Sequence, residues 1–276
     1  MSTRSPDSPL ITLCIPHWQV RGMMSICLRS IRKHSRKYNL EVLVVDNGSK
    51  DDSLDYLRSL KWIRLLERPE ENFTNWPNNV FTAWDFGIRH ATGDYFVTMH
   101  SDVFVKRDDW LDPFLREIEV SSQVAASGAW KLNLEPAWYT WQKRVLGSTV
   151  ATMKRLAGRN ARSSFREGHY PRDYCAMYRR DVILKHGLTF VPGIESITGG
   201  YTIAKQLWNA GYETRMIPLT EMAERIVHVA HGTAALAAEK PLHHADAQRK
   251  VEKRVQQLFG QPWVQSLRDD VTLDAA

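Results

Sequence analysis

Residues 41–52 read Glu-Val-Leu-Val-Val-Asp-Asn-Gly-Ser-Lys-Asp-Asp, and this stretch decides how the chain begins to fold. Residues 42–45 are apolar and three of them are β-branched, so 41–45 predicts a buried strand. Asp46 to Ser49 is a turn signal. The following stretch, 51–60, opens with acidic residues that suit the positive end of a helix dipole, so it predicts a helix. The order is strand, turn, helix.

The same unit lies on either side of this stretch. Before it, 10–15 is a short apolar run ended by Pro16. A helical face follows that run with the spacing i, i+3, i+4, i+7: Met24, Cys27, Leu28 and Ile31. After it, 62–66 and 95–99 predict two further strands. A helical face between these two strands consists of Phe81, Trp84 and Ile88. Apolar strands alternating with helices predict an α/β fold, with a mostly parallel sheet covered on both faces.

The second half of the chain is less regular. We expect a helix over 109–119 and a strand over 124–130, whereas 133–170 cannot be assigned to regular elements. A short helix over 181–186 follows, and a later helical stripe of Ile203, Leu207 and Ala210 is closed by Gly211. The expected organisation is a disordered lead (1–9), one domain (10–232) with halves 10–110 and 111–232, and a C-terminal helical extension (233–276).

Composition excludes several classes of protein. The chain has 276 residues, of which 43% are hydrophobic and 25% charged, so fibrous and disordered classes do not fit. It carries neither an apolar run of membrane-spanning length nor a signal-peptide core, and its three cysteines lack metal-site spacing. We expect a cytoplasmic protein with reduced thiols. The formal net charge of +6 favours anionic ligands such as nucleotides, phosphates or acidic lipid surfaces, and therefore allows a peripheral membrane contact.

Polar groups follow three of the predicted strands. They are His17 and Trp18, the turn 46–49, and 100–102, which reads His-Ser-Asp. Because ligands in open parallel sheets bind at the carboxyl ends of strands, these groups should converge on one crevice. Asp46 could accept a hydrogen bond from a base imide or a ribose hydroxyl, or form an Asx-turn. Asp102 could bind a divalent cation or cap a helix.

In order and spacing, three segments resemble the nucleotide-sugar half of a family 2 glycosyltransferase of the GT-A fold. They are the strand ending Ile15-Pro16, the segment 44–51, and the helix 81–91 leading into 93–103. The resemblance is strong over 10–110 and looser to about residue 232. It implies transfer of a sugar, of the hexosyl or deoxyhexosyl class, from a nucleoside diphosphate donor with Mn²⁺ or Mg²⁺. The implied acceptor is a carbohydrate, a lipid-linked molecule or a small molecule.

Carried over by position, the resemblance assigns binding roles to five residues. Pro16, Asp46, Ser101 and Asp102 would bind the nucleotide sugar, with Asp46 on the base and Asp102 on the metal. His100 stands where the family's first acid usually lies, and an imidazole suits Mn²⁺ better than Mg²⁺. His228, with His231 as the alternative, would complete the metal site. On ordinary histidine usage both would instead be surface or core residues.

The catalytic base departs from the family pattern. Inverting members carry Glu-Asp at positions that correspond here to Gly199 and Gly200. Glu195, four residues earlier, is the first candidate for the base and Asp173 the second, with a helix cap as the alternative role for Glu195. The stretch 138–141, rich in aromatic residues, could be an acceptor platform or part of the core.

Two other functions need weighing. A dinucleotide-binding enzyme would need Gly-x-Gly-x-x-Gly after the first strand, where this chain has Pro16 to Gly22. No basic stripe interleaved with aromatic residues supports a nucleic-acid partner. The serious rival is a catalytically silent binding or scaffolding protein that keeps the fold but has lost the base.

Overall fold

The computed structural model describes residues 8–71, 77–132, 169–193, 198–237 and 245–275. The strands within these residues are β1 (Leu10–His17), β2 (Asn39–Asp46), β3 (Arg64–Glu67), β4 (Tyr95–Met99), β5 (Val103–Val105), β6 (Val124–Ala129), β7 (Cys175–Arg179), β8 (Glu213–Ile217) and β9 (Ile226–His228). The helices are α1 (Arg21–His34), α2 (Ser53–Ser59), α3 (Asn78–His90), α4 (Asp112–Ile118), α5 (Arg180–Lys185), α6 (Gly199–Asn209), α7 (Leu219–Arg225), α8 (Gly232–Leu236), α9 (Ala245–Phe259) and α10 (Pro262–Asp269), followed by a 3₁₀ turn (Val271–Asp274).

Seven strands form one sheet in the order β3-β2-β1-β4-β7-β6-β8. Neighbouring strands are parallel except around β7, which runs antiparallel to both β4 and β6. A second sheet pairs β5 with β9 in antiparallel fashion. Because β7 is reversed, its first residue, Cys175, lies opposite Met99, the last residue of β4. The start of β7 therefore belongs to the same sheet edge as the carboxyl ends of the parallel strands.

The central strands are buried on both faces. Ile11, Leu13 and Ile15 of β1 point into a core cluster that includes the buried face of α1. Cys14, between them, points to the opposite side into a cluster with Trp84 of α3. Each strand must be apolar at successive positions to fill both layers, which explains its nearly continuous hydrophobic run. All three cysteines are buried free thiols, as the sequence predicts.

The α/β fold class with a mostly parallel sheet is confirmed. The elements expected before residue 130 are present with shifted ends; for example, the strand expected over 10–15 extends to His17. The sequence prediction missed β5, β7, β8 and β9, which are short or partly exposed and carry little periodic signal. None of the described helices combines the length and the apolar character needed to cross a bilayer.

The helix α10 and the 3₁₀ turn after it pack on α1, where Arg29 and Asp274 form a clasp. Arg29 Nε and Nη2 donate to Asp274 Oδ1 (2.9 Å) and Oδ2 (2.6 Å). The Tyr56 hydroxyl donates to the same carboxylate at 2.9 Å. Arg29 also donates to the backbone oxygens of Leu267 and Arg268. A fork-shaped pair of this kind holds Asp274 and the 3₁₀ turn against α1.

We expect Asp274→Asn to lower the free energy of unfolding by about 2 to 3 kcal/mol, because it leaves the buried Arg29 guanidinium without its charged partner. Urea denaturation measures this change. The matched control is Asp269→Asn, since Asp269 pairs only with Arg268 at the exposed surface in the described part of the chain. The control should change stability by less than about 0.5 kcal/mol. Equal changes in the free energy of unfolding for the two substitutions would show that the clasp stabilises the fold no more than an exposed ion pair does.

Candidate functional site

The carboxyl ends of β1, β2 and β4 meet at one edge of the large sheet. His17, at the end of β1, lies opposite Asp46, at the end of β2. Cys14 lies opposite Thr98 of β4, so His100 follows β4 at about the height where β1 ends. The polar residues expected at three strand ends therefore share one edge, which is the usual position of ligands in open α/β sheets.

Asp46 uses its two carboxylate oxygens differently. Oδ2 accepts hydrogen bonds from the backbone N–H groups of Gly48 (3.1 Å) and Ser49 (3.0 Å). Oδ1 is buried and lacks a hydrogen-bond partner among the described residues. One oxygen thus shapes the turn, and the other remains a fixed acceptor. A buried acceptor without a partner is costly, which favours a donor group supplied by a ligand.

The turn after Asp46 requires a glycine. Gly48 has a φ angle of +73°, and a Cβ there would overlap the carbonyl oxygen of Glu71. Only glycine meets both conditions without strain. The Asp46 carboxylate is therefore held by a turn whose conformation is fixed by the sequence.

His17 is a neutral, buried neighbour of Asp46. Its Nε2 lies 2.8 Å from the Ser53 hydroxyl, and its Nδ1 is buried without a partner in the part of the chain that the structure describes. Burial lowers the pKa of His17 to about 4, against the opposite influence of Asp46 and Asp51. The ring is therefore uncharged at neutral pH.

The loop between β1 and α1 has a strained backbone and is stabilised by hydrogen bonds to the loop after β2. Gln19 and Val20 have φ angles of 52° and 62°, a region that a β-branched residue rarely adopts. Their backbone N–H groups donate to Ser49 Oγ (2.8 Å) and Asp51 Oδ2 (2.9 Å). These bonds tie the first loop to the second and stabilise a conformation that costs about 1 to 3 kcal/mol per residue.

Three side chains form a cluster of metal-ligand type near this edge of the sheet. His100, Asp102 and His228 each offer one atom, and these atoms lie within 4.8 Å of one another. Asp102 Oδ1 is 3.8 Å from His100 Nδ1 and 3.4 Å from His228 Nε2. Ligands bound to one ion at about 2.1 Å each stand about 3 to 3.5 Å apart. The 3.4 Å separation fits this range, and the 3.8 Å separation is slightly longer than it.

The pairing of the small sheet brings His228 to Asp102. Val103 of β5 lies opposite His228 of β9, and the Val229 N–H donates to the Asp102 backbone oxygen at 3.0 Å. The Gly232 N–H donates to Asp102 Oδ2 at 3.0 Å. These contacts fix one oxygen of the carboxylate and leave the other facing the two imidazoles.

The polar atoms of this cluster fit a cation that completes them. Asp102 Oδ1 and both ring nitrogens of His228 are buried and lack hydrogen-bond partners within the described ranges. Burial acts to raise the pKa of Asp102, but His228, His100 and the Gly232 N–H outweigh it and hold that pKa below its usual value. Burial lowers the pKa of His100. An ionised carboxylate and a neutral imidazole are the forms that bind metals.

Each imidazole of the cluster lies against an aromatic ring. Trp84 stacks on His100, with centroids 5.5 Å apart and planes at 20°. Tyr174 stacks on His228 at 4.5 Å and 9°. The backbone carbonyl of Tyr174 also accepts a hydrogen bond from the backbone N–H of His100 at 2.9 Å. Sequence reasoning missed both aromatic contacts, because Tyr174 precedes the unpredicted strand β7 and Trp84 is simply part of a helical apolar face.

Asp173 approaches the start of α6. Its Oδ2 accepts the backbone N–H of Gly200 at 3.0 Å, and Asp173 is buried. A Cβ on residue 200 would lie 3.0 Å from both the Asp173 nitrogen and the Pro171 oxygen. Gly199 and Gly200 are buried, and the first turn of α6 contains no acidic residue. The carboxylate at this point comes from the residues before β7 and not from the helix.

The remaining site candidates from the sequence fall in different places. Pro16 is buried near the end of β1. Ser101 is buried, and its hydroxyl lies 3.0 Å from that of Thr233 in α8. His231 is the residue before α8 and is not in the three-residue cluster. Glu195 and the aromatic stretch 138–141 lie outside the described residues.

Comparison with known families gives a match over most of the chain. Residues 12–187 match the family described as Glycosyl transferase family 2. The matched region runs from within β1 through β7 and contains His17, Asp46, His100 and Asp102. His228 lies beyond it.

Two curated relatives match a shorter part. A Haemophilus influenzae protein described as an uncharacterized glycosyltransferase is 26% identical over 102 residues, which are 37% of this chain and 40% of that protein. A Methanococcus voltae enzyme is 26% identical over 99 residues, 36% of this chain and 30% of that protein. It is named dolichyl N-acetyl-alpha-D-glucosaminyl phosphate 3-beta-D-2,3-diacetamido-2,3-dideoxy-beta-D-glucuronosyltransferase. The matches thus span less than half the length of either relative.

Two solved structures share the fold at low sequence identity. A mannosyltransferase from Pyrobaculum calidifontis, in complex with GDP-Man and Mn²⁺, is 16% identical with a TM-score of 0.55, covering 95% of this chain and 74% of that one. Glucosyl-3-phosphoglycerate synthase from Mycobacterium tuberculosis, in complex with Mn²⁺, UDP and phosphoglyceric acid, is 16% identical with a TM-score of 0.51. That match covers 92% of this chain and 80% of the synthase. These likenesses agree with the GT-A fold.

Proposed function

The chain belongs to glycosyl transferase family 2, and from that premise we propose that it transfers a sugar from a nucleoside diphosphate donor to an acceptor hydroxyl. In this proposal Asp46 binds the base, while Pro16 and Ser101 line the donor site. Asp102 and His228 hold a divalent cation, Mn²⁺ or Mg²⁺. The transferred group is a hexosyl or deoxyhexosyl unit, and the acceptor is a carbohydrate, a lipid-linked molecule or a small molecule.

One observation carries the proposal: two carboxylate oxygens without hydrogen-bond partners lie near the same edge of the sheet, and one of them belongs to the metal-ligand cluster. Asp46 Oδ1 and Asp102 Oδ1 are both buried without hydrogen-bond partners in the described residues. A base that donates an N–H would satisfy the first oxygen. A cation on a diphosphate would satisfy the second. A nucleoside diphosphate carries both groups in one molecule.

The proposed reaction is a direct displacement with inversion at the anomeric carbon. The catalytic base, a carboxylate of the protein, accepts the proton of the acceptor hydroxyl. The hydroxyl oxygen then bonds to the anomeric carbon, and the bond from that carbon to the diphosphate breaks. The cation, when bound, supplies positive charge to the leaving diphosphate. Asp102 holds its charge in a buried position between two imidazoles and the Gly232 N–H, so little reorganisation is needed as charge develops.

Glu195 is the catalytic base in this proposal. Thr198, three residues later, caps α6 by accepting the Tyr201 N–H. Asp173, the second candidate, already accepts the Gly200 N–H, which is a structural use of one of its oxygens. A carboxylate that acts as general base must approach within about 2.6 to 3.2 Å of the hydroxyl.

A silent nucleotide-sugar-binding or scaffolding protein is the second candidate function. The observation that favours it is the glycine pair at the start of α6, where the first turn carries no acid. Such a protein would bind the nucleotide but would not turn over the donor. Binding and turnover therefore have to be measured separately.

Binding is tested by a thermal-shift screen of UDP, GDP, dTDP and CDP, with and without Mn²⁺. Uracil, thymine and guanine each present a ring N–H that the Asp46 oxygen could accept, whereas cytosine does not. We expect one of the first three to stabilise the protein by about 2.7 kcal/mol at a hundredfold excess over Kd, and to do so more strongly with Mn²⁺. No stabilisation by any nucleotide would contradict the donor assignment.

Asp46→Asn is expected to weaken binding of the preferred nucleoside diphosphate about 10- to 100-fold. In asparagine an NH₂ group, which donates hydrogen bonds, replaces one of the two carboxylate oxygens that accept them. The remaining oxygen can still accept the Gly48 and Ser49 N–H groups, so the fold should survive. Asp52→Asn in the same loop is the control, since Asp52 pairs with Arg21 at the exposed surface. Calorimetric titration of both variants decides: an unchanged affinity in Asp46→Asn would remove the base-contact role.

A further inference from the structure

We infer that His100 is a direct metal ligand, and that the resulting centre of two imidazoles and one carboxylate selects Mn²⁺ over Mg²⁺. The inference rests on the proposed cation site of Asp102 and His228 and adds the third ligand and the metal preference.

The geometry supports three ligands. His100 Nδ1 is 3.8 Å from Asp102 Oδ1, close to the 3.4 Å that separates the same oxygen from His228 Nε2. The two imidazoles meet edge to face, with centroids 5.7 Å apart. An ion bound by Asp102 and His228 would therefore lie within reach of the His100 ring. His100 is also the most exposed of the three, so the centre opens on the His100 side.

Packing holds the two imidazoles where they are. The Trp84 ring stacks on His100, and the Tyr174 ring stacks on His228. The backbone of His100 is fixed by its N–H bond to the Tyr174 carbonyl. Aromatic contacts of this kind restrict ring rotation without occupying the ring nitrogens. Both nitrogens of His228 lack hydrogen-bond partners among the described residues, so no hydrogen bond has to break before a metal binds there.

The chemistry of the ligands sets the preference. Mg²⁺ is a hard ion that binds carboxylates, phosphates and water, and it gives up its water reluctantly. Imidazole suits transition metals, whose affinity at such sites rises from Mn²⁺ through Fe²⁺ to Co²⁺ and beyond. A centre with two imidazoles for each carboxylate is therefore poor for Mg²⁺. Of the ions commonly found on diphosphates, Mn²⁺ is the one that this set of ligands favours.

The first test is Mn²⁺ binding by the full chain without any nucleotide. Electron paramagnetic resonance measures bound Mn²⁺, and electron spin echo modulation counts the imidazole nitrogens coupled to it. We expect two coupled imidazoles, and a hundredfold excess of Mg²⁺ should leave most of the Mn²⁺ bound. One coupled imidazole, or displacement of Mn²⁺ by equimolar Mg²⁺, would overturn the inference.

The second test is His100→Asp, with His186→Asn as a matched control far from the cluster, where the imidazole contacts Tyr212. In His100→Asp we expect one coupled imidazole and a fall of about 10- to 100-fold in the ratio of Mn²⁺ to Mg²⁺ affinity. The control should match wild type. An unchanged ratio would overturn the inference. If His100→Asp does not fold, the inference is tested by His100→Asn and by the number of imidazole nitrogens coupled to Mn²⁺ in wild type.

These results are separable from the proposed function. If wild type binds Mn²⁺ through two imidazoles but turns over no donor, the inference stands and the proposed transfer fails. If donor turnover is equally fast with Mg²⁺ and Mn²⁺ and only one imidazole is coupled, transfer stands and the inference fails.

Discussion

Asp102→Asn is expected to lower sugar transfer by at least about a thousandfold while the protein stays folded. The Asn side chain can still accept the Gly232 N–H, so the turn before α8 should persist. It cannot supply the negative charge that the proposed cation site of Asp102 and His228 requires. The loss should fall on the rate of transfer and on the Mn²⁺-dependent part of nucleotide binding.

The measurements are initial rates of donor consumption and thermal shifts with UDP or GDP, each with and without Mn²⁺. Asp181→Asn is the control, because Asp181 is an exposed residue of α5, away from the cluster. Full activity of Asp102→Asn, or full activity of wild type in excess EDTA, would remove the metal from the proposal. A melting temperature far below that of wild type would attribute the loss to folding.

Glu195→Gln is expected to reduce kcat by about 10² to 10⁴-fold with little change in donor affinity, because glutamine keeps the size of the side chain but cannot accept the proton. Asp173→Asn is the matched comparison. Asparagine keeps an oxygen for the Gly200 N–H, so a structural role predicts near-normal turnover. Both variants should be measured with one donor at saturating Mn²⁺.

The two variants give opposite results under the two assignments. A large loss of kcat in Glu195→Gln alone supports Glu195 as the base. A large loss in Asp173→Asn alone transfers the role to Asp173. Near-normal kcat in both variants means that neither residue is the base.

Much of the first half of the chain could be predicted because its signals are local. The run 41–45 and the turn at Asp46 predict a strand and its end from neighbouring residues alone, and the structure places that end opposite His17. The carboxyl-edge rule then brings together residues more than 80 positions apart in the chain. The same logic identifies Asp46 and Asp102 as candidates before any contact is known.

The rest depends on contacts between distant segments. β5 and β9 have three residues each, too few for a periodic pattern, and their pairing is what brings His228 to Asp102. The reversed strand β7 has no turn signal that marks its direction, yet it brings Asp173 and Tyr174 to the site edge. The stacking of Trp84 on His100 depends on how α3 packs on the sheet. Such features are set by tertiary packing, which a local pattern does not encode.

The central claim is metal-dependent turnover of a nucleotide sugar, and donor consumption measures it most directly. The full chain is incubated with Mn²⁺ and, separately, with UDP-, GDP- and dTDP-linked sugars, and the released nucleoside diphosphate is quantified with wild type and with Asp102→Asn. We expect one donor to release its diphosphate with wild type, by transfer or by slow hydrolysis, and we expect this release to disappear in the variant. Tight binding of a nucleotide with no release from any donor would contradict it and identify a silent binding protein.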